Sequence, residues 1–410
     1  MQALEGYRLL DFGTAVAGPQ AAQLLADLGM EVIKVETRVR LDGTRVGRPI
    51  VGDDIIGGDE GKWPDMQPVF HVTNRNKLSF TINLKQPRAM DVFARLVKIS
   101  DVVLDNSSPG SMARLGLDHA NLAKIRSDII SISLTGCGES GPMRDTLVYA
   151  PLIIALGGME SLVGYYGDKT PMNVIPAYGD ANASIHAAYA VLAALWHREK
   201  TGEGQHISLA ESYTITSLLG EAIMDYNMNE RIQGLQGNRH PTLCPHGNYP
   251  CHGNDKWVAI AVDTDEEWKN FCTVMGVSEW ITDERFANKA SRMKNREYLD
   301  KIIASKTINH DVYNITDMLQ KVNVAATPIM NCEDQFSDPH FCERKTYVQI
   351  EHPLVGTEII YRSPMRLKDT PPTIRRHAPS LGEHNNYVLN NLLGFSRQEV
   401  AELIEKQIIN

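Results

Sequence analysis

Asp180 is the acidic residue in "YGDANAS", a stretch of small side chains just ahead of a long alanine-rich helical pattern. A carboxylate at a helix start lies near unpaired N–H groups and the positive end of the helix dipole, so we expect Asp180 to be ionised and to point outward. An ionised aspartate with small neighbours can act as a covalent nucleophile towards a bulky reactant. Aspartate is also a favoured N-cap residue, and the local pattern taken alone favours this purely structural role.

A second set of side chains could bind phosphate groups. Basic residues follow the predicted strand "EVIKVE" and recur in "NRNKLS": Lys34, Arg38, Arg40, Arg45, Arg75 and Lys77. The ends of parallel strands are where nucleotides bind in open α/β sheets. The net charge of -9 argues against a nucleic acid as the partner, because phosphate backbones require a basic surface. We therefore expect any anion to be held by a local cluster of basic residues.

Several residues able to bind metals crowd the segment "HPTLCPHGNYPCH", namely His240, Cys244, His246, Cys251 and His252. They lack the paired short spacings of structural zinc sites, so we predict no metal and interpret the segment as an active-site loop. The six cysteines form no C-x-x-C pair. We expect free thiols in a reducing compartment.

The elements that must position these residues follow an alternating order. Short β-branched runs and helical patterns, such as "YRLLDFG", "AAQLLADLGM" and "EVIKVE", alternate through the first 150 or so residues. This order predicts an α/β fold with a Rossmann-like, doubly wound parallel sheet. The helix after Asp180 is expected from about 183 to 197, with Trp196 most simply in the core. A stretch rich in Gly, Asp and Pro, 47–69, is expected to be a long loop.

The length of 410 residues exceeds the usual size of one hydrophobic core, so two domains are expected. We assign 1–223 to a large domain and 224–322 to a smaller α+β domain. Residues 323–410 would form a linker and a C-terminal part that returns to the large domain.

No apolar run approaches the roughly 20 residues of a membrane helix, and the amino terminus lacks signal-peptide features. We expect a cytoplasmic protein without a membrane partner.

Seven ordered segments carry a family resemblance across nearly the whole chain. They are "LEGYRLLDFGTAVAGPQAAQLLADLGMEVIKVE", "NRNKLSFTINLK", "DVVLDNSSPGSMARLGL", "SISLTGCGESGP", "GDANASIHAAYAVLAALWHREKTGEGQHISLAE", "GNRHPTLCPHGNY" and "SLGEHNNYVL". Together they resemble the class III coenzyme A transferases, which include formyl-CoA:oxalate, carnitine and phenyllactate CoA-transferases.

The resemblance implies roles for particular residues. Asp180 falls at the family's catalytic aspartate, which favours the nucleophile over the cap. We predict CoA contacts at Val16, Ala17, Arg38, Arg75, Lys77 and Arg114. Two departures concern the site: Thr37 stands at the family's usual arginine, and Ser184 replaces a common glycine and could narrow the approach to the carboxylate.

The family mechanism would make CoA and acyl-CoA substrates, with no permanently bound cofactor. Asp180 would attack the donor thioester to give a mixed anhydride, and the released thiolate would convert it to an aspartyl-CoA thioester. Backbone N–H groups in "GNRHPTLCPHGNY" and "GCGESGP" are candidate oxyanion donors. The expected donor is succinyl-CoA and the expected acceptor a carboxylic acid, with benzylsuccinate favoured among dicarboxylates.

Two alternatives stay open. An acyl-CoA racemase or epimerase of the same superfamily would need a histidine in the stretch corresponding to "RDTLVYA", which has none. The chain could also be a non-catalytic subunit of a heteromeric transferase. The resemblance implies an interlocked dimer, either of identical chains or with a homologous subunit.

Overall fold

The computed structural model describes residues 2–49, 59–175 and 177–409. Part of the predicted loop at 47–69 lies outside these residues. The chain divides into two compact units. The large unit comprises 1–159, 173–224 and 342–410, and the small unit comprises 160–172 and 225–341.

The secondary structure alternates through the first half of the chain, as predicted. The strands are β1 (Arg8–Asp11), β2 (Glu31–Glu36), β3 (Lys77–Thr81), β4 (Val102–Asp105), β5 (Ile130–Thr135), β6 (His206–Ala210), β7 (His246–Pro250), β8 (Trp257–Ala261), β9 (Ala325–Pro328), β10 (Tyr347–His352) and β11 (Gly356–Tyr361). The first helices are α1 (Ala17–Asp27), α2 (Pro68–Asn74), α3 (Ala89–Lys98), α4 (Ser111–Arg114), α5 (His119–Ile125), α6 (Ala150–Leu156), α7 (Tyr178–Thr201) and α8 (Glu211–Thr216). The later helices are α9 (Gly220–Asn229), α10 (Asp265–Val274), α11 (Lys289–Lys294), α12 (Arg296–Thr307), α13 (Val312–Gln320), α14 (Cys332–Ser337), α15 (Pro339–Glu343) and α16 (Arg397–Glu405). Short 3₁₀ turns lie at Gly43–Arg45, Glu60–Asp65, Met159–Leu162 and Ser278–Ile281, and a π-helical turn lies at Tyr387–Leu392.

The large unit contains a six-stranded sheet in the order β3-β2-β1-β4-β5-β6, with every pair parallel. The predicted doubly wound sheet is confirmed. The direction of winding reverses between β1 and β4, so the loops after these two strands diverge. Such a switch point leaves a crevice at the carboxyl ends of the strands.

The sheet has two buried faces. Leu9 and Leu10 are consecutive on β1 and belong to different cores, because successive side chains of a strand point to opposite faces. One face is covered by α1 and α7. The other is covered by α3, α5 and the C-terminal segment, which contributes Val388 and Leu403. Trp196 on α7 was expected in the core, but it is 67% exposed and points away from the sheet.

The small unit has its own antiparallel sheet, in the order β7-β8-β9, and its own core around Trp268 and Phe271. Its main segment begins at 225, close to the expected 224, but the unit extends beyond the expected end at 322 and includes a separate earlier segment. Residues 323–341 belong to it because β9 pairs with β8. Residues 160–172 belong to it because their backbone is hydrogen-bonded to that of the segment 225–341, where the N–H of Gly237 donates to the carbonyl oxygen of Gly164 at 3.0 Å. Nothing local in the sequence marks that second pairing.

No helix within the described ranges is both long and apolar enough to cross a membrane.

Candidate active site

Asp180 is the third residue of α7, inside the first helical turn. The helix begins at 178, and not near 183 as the sequence suggested. Its N-cap position is occupied by Ala177, and no side chain caps it, so Asp180 does not have the capping role that the local sequence pattern left open as the alternative. The early start depends on Gly179, where a Cβ would lie 3.3 Å from Cγ1 of Ile154 on α6. Glycine lets the first turn of α7 pack this closely.

The Asp180 carboxylate is half-buried and has lost much of its water. Burial raises the pKa of Asp180 to about 6. The expected stabilisation of the anion by the helix start is therefore outweighed by desolvation, the only resolved cause of the shift. The ionised form still exceeds the protonated form by about tenfold at pH 7. A carboxylate that is ionised but poorly hydrated is suited to nucleophilic attack.

Ser184 joins the start of α7 to the start of α1. Its side chain is fully buried, and its Oγ lies 2.8 Å from the carbonyl oxygen of Ala17 and 2.7 Å from that of Asp180. Ala17 is the first residue of α1 and Val16 is its N-cap. These two predicted CoA contacts thus lie beside the helix turn that carries Asp180. The Ser184 hydroxyl is directed between the helices, so it does not narrow the approach to the carboxylate as expected.

Buried charges hold the loop 12–16 that leads into α1. Lys34 Nζ donates to the carbonyl oxygen of Gly13 at 2.6 Å and lies 3.3 Å from Oδ2 of Asp42. Oδ1 of Asp42 in turn accepts from the backbone N–H of Ala15 at 3.1 Å. Ala15 has φ 59, a left-handed conformation that is unfavourable for residues other than glycine. The surrounding hydrogen bonds therefore hold this loop in a conformation that its sequence alone would not favour.

Lys77 supports the same region from the sheet. Its ammonium group is completely buried and donates to Asp11 Oδ2 at 2.7 Å, to Pro19 O at 2.7 Å and to Asn74 Oδ1 at 2.8 Å. Burial lowers the pKa of Lys77 to about 8, although the Asp11 carboxylate opposes the shift. The head group is fully occupied by these three acceptors. In this position Lys77 holds the start of α1 and does not face a phosphate group.

Arg75 is also internal. Its guanidinium donates to both carboxylate oxygens of Asp27, at 3.2 and 2.7 Å, and stacks over the ring of Tyr361 with 4.7 Å to the centroid. Like Lys34 and Arg45, Arg75 is only 1% exposed. Four of the six residues in the predicted phosphate-binding set are therefore committed to buried contacts, namely Lys34, Arg45, Arg75 and Lys77.

A cavity of about 330 Å³ opens at the carboxyl ends of β1, β2 and β3. Its wall includes the apolar residues Phe12, Val35, Val39, Leu84 and Leu115 together with the basic residues Arg40 and Lys85. Gly13 and Thr14 also line it, so the loop 12–16 connects the cavity to the start of α1. Lys34, Glu36 and Asp42 also line the cavity, where Lys34 is paired with Asp42 and Glu36 is paired with Arg45. An apolar wall with the exposed cations Arg40 and Lys85 at this edge of a parallel sheet suits a nucleotide.

Arg38 and Arg114 are exposed and are next in the chain to residues that line this cavity, Arg38 to Thr37 and Val39, and Arg114 to Leu115. Arg38 Nη2 donates to the carbonyl oxygen of Leu381 at 3.1 Å, and Arg114 Nη2 donates to Ser111 Oγ at 2.9 Å. The Arg114 guanidinium has further N–H donors besides this one. Both residues, together with Arg40 and Lys85, are thus placed where a phosphate could reach them.

A model of one protein family, described as CoA-transferase family III, matches residues 4–385. The chain belongs to this family. It is a class III CoA-transferase, as the sequence resemblance implied.

Relatives of this class III CoA-transferase match it end to end. It is 32% identical over 406 residues to the succinyl-CoA–D-citramalate CoA-transferase of Chloroflexus aurantiacus, with 99% of this chain and 98% of the relative covered. It is also 32% identical to the succinate–glutarate CoA-transferase of Agrobacterium fabrum, with 95% of each chain covered. The crystal structure of a CAIB/BAIF family protein from Brucella suis has a TM-score of 0.86 at 29% identity, covering 95% of this chain and 99% of that one.

The two loops proposed to donate hydrogen bonds to an oxyanion lie in different units of the transferase. The segment 136–142 follows β5 in the large unit, and 237–249 lies in the small unit. In the second segment, His246 Nδ1 lies 2.7 Å from the carbonyl oxygen of Asn238, and His240 Nδ1 accepts from the backbone N–H of Thr242 at 3.2 Å. Nowhere in the described part of the chain do three His, Cys, Asp or Glu side chains gather as metal ligands would.

Sequence reasoning missed one functional candidate, Glu211. The segment "HISLAE" was expected to be a strand, and it is one as far as Ala210. Glu211 begins α8 directly after it and is 5% exposed. Its carboxyl group is close enough to Asp180 for the charge of Asp180 to raise the pKa of Glu211. No local signal separates this residue from an ordinary acidic residue at a helix start.

Proposed function

We propose that this class III CoA-transferase transfers CoA from succinyl-CoA to a dicarboxylic acid, with Asp180 as the covalent carrier. The observation that carries the proposal is the placement of Asp180. It is an ionised, poorly hydrated carboxylate in a helix turn made of small residues, without a capping role. Capping was the competing explanation for an aspartate at this point of the sequence.

The proposed reaction conserves the free energy of the thioester. An Asp180 oxygen attacks the donor carbonyl carbon, the C–S bond breaks, and CoA leaves as the thiolate from a mixed anhydride. The thiolate then attacks the Asp180 carbonyl carbon, giving an aspartyl-CoA thioester and the free donor carboxylate. The acceptor carboxylate repeats both steps in reverse. A carboxylate is needed because it can itself become a thioester, and the intermediates require protection from water.

We place the CoA nucleotide in the cavity at the ends of β1, β2 and β3. Arg38, Arg40, Lys85 and Arg114 would meet its phosphate groups, while the apolar wall would meet its adenine ring. The pantetheine arm would then follow the loop 12–16 towards Val16, which lies at the start of α1. Arg75 and Lys77 are left out of this assignment because neither head group reaches solvent.

The donor and acceptor classes follow from the relatives' names. One relative is named for succinyl-CoA and D-citramalate, and the other for succinate and glutarate. All three acids are dicarboxylic. We therefore propose succinyl-CoA as donor and a dicarboxylate as acceptor, with benzylsuccinate as the first acceptor to assay. Initial rates with a panel of dicarboxylates and monocarboxylates test this, and equal rates with simple monocarboxylates would contradict it.

We also propose that the transferase acts as an interlocked dimer. The chain leaves the large unit after 224 and returns to it at 342, so that unit is made of separated segments. One side of α7 exposes large apolar residues: Ile185, Tyr189 and Trp196 are 61%, 72% and 67% exposed. Apolar side chains of this size on a helix surface commonly mark a protein interface.

Replacing Asp180 with asparagine tests the carrier role. Asparagine keeps the shape of the side chain but is a poor nucleophile and cannot form the thioester. We expect a folded protein that does not transfer CoA. The matched control is Asp91→Asn, since Asp91 is likewise the third residue of its helix, α3, but is exposed. Transfer by the Asp180 variant at the wild-type rate would overturn the proposal.

A further inference from the structure

Glu211 is a buried carboxyl group in an apolar setting. It is the first residue of α8 and is 5% exposed. The helix packs against α6 through Ile215, which contacts Ile153 and Ile154 in one hydrophobic cluster. Within the described residues, no cation and no hydrogen bond contributes to the electrostatic setting of the Glu211 carboxyl group. A carboxylate without such partners is costly to bury in its charged form.

The starts of α7 and α8 are tied together, which brings two carboxyl groups into one site. Asn182 Nδ2 donates to the carbonyl oxygen of Thr214 at 2.8 Å. Asn182 lies two positions after Asp180, and Thr214 lies three positions after Glu211. The position of one acidic residue relative to the other is therefore fixed by packing between the two helices and by this hydrogen bond.

At neutral pH the pair carries mainly one negative charge. Burial is the first cause that raises the pKa of Glu211, to about 8, and the charge of Asp180 is the second. Burial alone raises the pKa of Asp180, to about 6. At pH 7 the nucleophile is therefore ionised while its neighbour holds a proton. This is how two carboxyl groups in one site divide their roles.

Other titratable groups surround α8, and none of them replaces Asp180 in this interaction. They are Cys137 and Glu139 after β5, Tyr178 and His186 on α7, and Tyr213 on α8 itself, while α6 carries no titratable side chain. The Glu139 carboxylate already has a hydrogen-bond partner, because its Oε2 lies 2.6 Å from Nε2 of His206. Of all these groups, only Asp180 has a resolved effect on Glu211.

We propose that Glu211 is a positioning residue whose neutral carboxyl group keeps the negative charge of the active site on Asp180 alone. This inference rests on the proposed function of Asp180. The acceptor carboxylate and the CoA thiolate are both anions that must approach the Asp180 carbonyl carbon. A second negative charge beside Asp180 would repel them, so the site works while Glu211 holds its proton.

Formation of the aspartyl thioester should change the protonation of Glu211. Forming the aspartyl thioester consumes one carboxylate, that of Asp180, and releases one, that of the donor acid, so the bond changes neither take up nor release a proton. The Asp180 charge nevertheless disappears. The pKa of Glu211 then falls, because one of the two causes that raised it is gone. Glu211 therefore releases part of a proton as the thioester forms.

The first experiment compares initial rates of CoA transfer at pH 9 and pH 7. A group with a pKa of about 8 loses its neutral form by about tenfold between these pH values, so we expect the wild-type rate to fall by about tenfold. In Glu211→Gln the side chain cannot ionise, and we expect the two rates to agree within about twofold. Glu203→Gln, which alters an exposed residue just ahead of β6, should keep the wild-type fall. A tenfold fall that persists in Glu211→Gln overturns the proposal.

The second experiment needs no variant of Glu211. Wild-type enzyme is mixed with acyl-CoA in weak buffer at pH 8, proton release is followed with an indicator dye, and thioester on Asp180 is measured in parallel by mass spectrometry. We expect up to about half a proton per thioester, since about half of Glu211 still holds its proton at that pH. Asp180→Asn supplies the baseline for binding alone. Thioester without proton release overturns this inference only, whereas absence of thioester on Asp180 overturns the proposed function and this inference together.

Discussion

Replacing Glu211 with glutamine should stabilise the protein at neutral and alkaline pH. The reason is not steric, because the two side chains have nearly the same shape. The pKa of Glu211 is raised in the folded protein from its ordinary value of 4.5 to about 8. The protonated carboxyl therefore stabilises the fold fully below pH 4.5, and this contribution is lost as the pH rises towards 8. The slope is about 1.4 kcal/mol per pH unit in the middle of this range and lower at its two ends, so the loss between pH 5 and pH 8 is about 3 to 4 kcal/mol.

The assay is thermal unfolding of wild type and Glu211→Gln at half-unit intervals from pH 5 to pH 8. The melting temperature of the wild type should fall relative to that of the variant by several degrees as the pH rises, since glutamine does not ionise. Glu203→Gln is again the matched control, because its exposed carboxylate loses little hydration on folding. A constant difference between wild type and Glu211→Gln across this range would refute the burial of a proton on Glu211.

Three further predictions follow from the site. Lys77→Met leaves the buried Asp11 carboxylate without the ammonium group of Lys77 and should destabilise the protein by about 3 to 5 kcal/mol. A lowered melting temperature would show this loss, and an unchanged melting temperature would contradict the anchoring role of Lys77. Arg38→Ala and Arg114→Ala should each weaken CoA binding by about 1.5 to 3 kcal/mol in calorimetry. The control Arg397→Ala, at an exposed arginine of α16, should leave the affinity unchanged. Full affinity in both Arg38→Ala and Arg114→Ala would remove these two residues from the proposed site. The interlocked dimer should keep its mass on dilution in analytical ultracentrifugation, and a monomer in native buffer would count against it.

The fold was predictable because its pattern is local. Five of the six strands of the sheet, all except β3, appear in the sequence as runs that alternate with helical patterns, and the handedness of parallel crossovers leaves few arrangements for them. The start of α7 was not predictable in the same way. Gly179 and Asp180 resemble a bend, yet the contact between Gly179 and Ile154 makes them part of the helix. Packing between helices decided that boundary.

The roles of the basic residues show a second limit of sequence reasoning. Arg75 and Lys77 have the same local setting as a phosphate-binding pair, because "NRNKLS" gives no sign that β3 is buried on both faces. Their partners, Asp27 and Asp11, lie 48 and 66 positions earlier in the chain. Only the folded sheet brings these charges together. Lys85, which lines the cavity at the ends of β1, β2 and β3, lacked a distinguishing local signal for the same reason.

The central claim is that CoA becomes bound covalently to Asp180. The most direct test is to incubate the wild-type enzyme with succinyl-CoA, treat it with hydroxylamine, and map the modified peptide by mass spectrometry. An aspartyl thioester reacts to give a hydroxamate, so the account predicts a hydroxamate at Asp180 that is absent when succinyl-CoA is omitted and absent in Asp180→Asn. A hydroxamate on another acidic residue, or none on an enzyme that turns over, would contradict it.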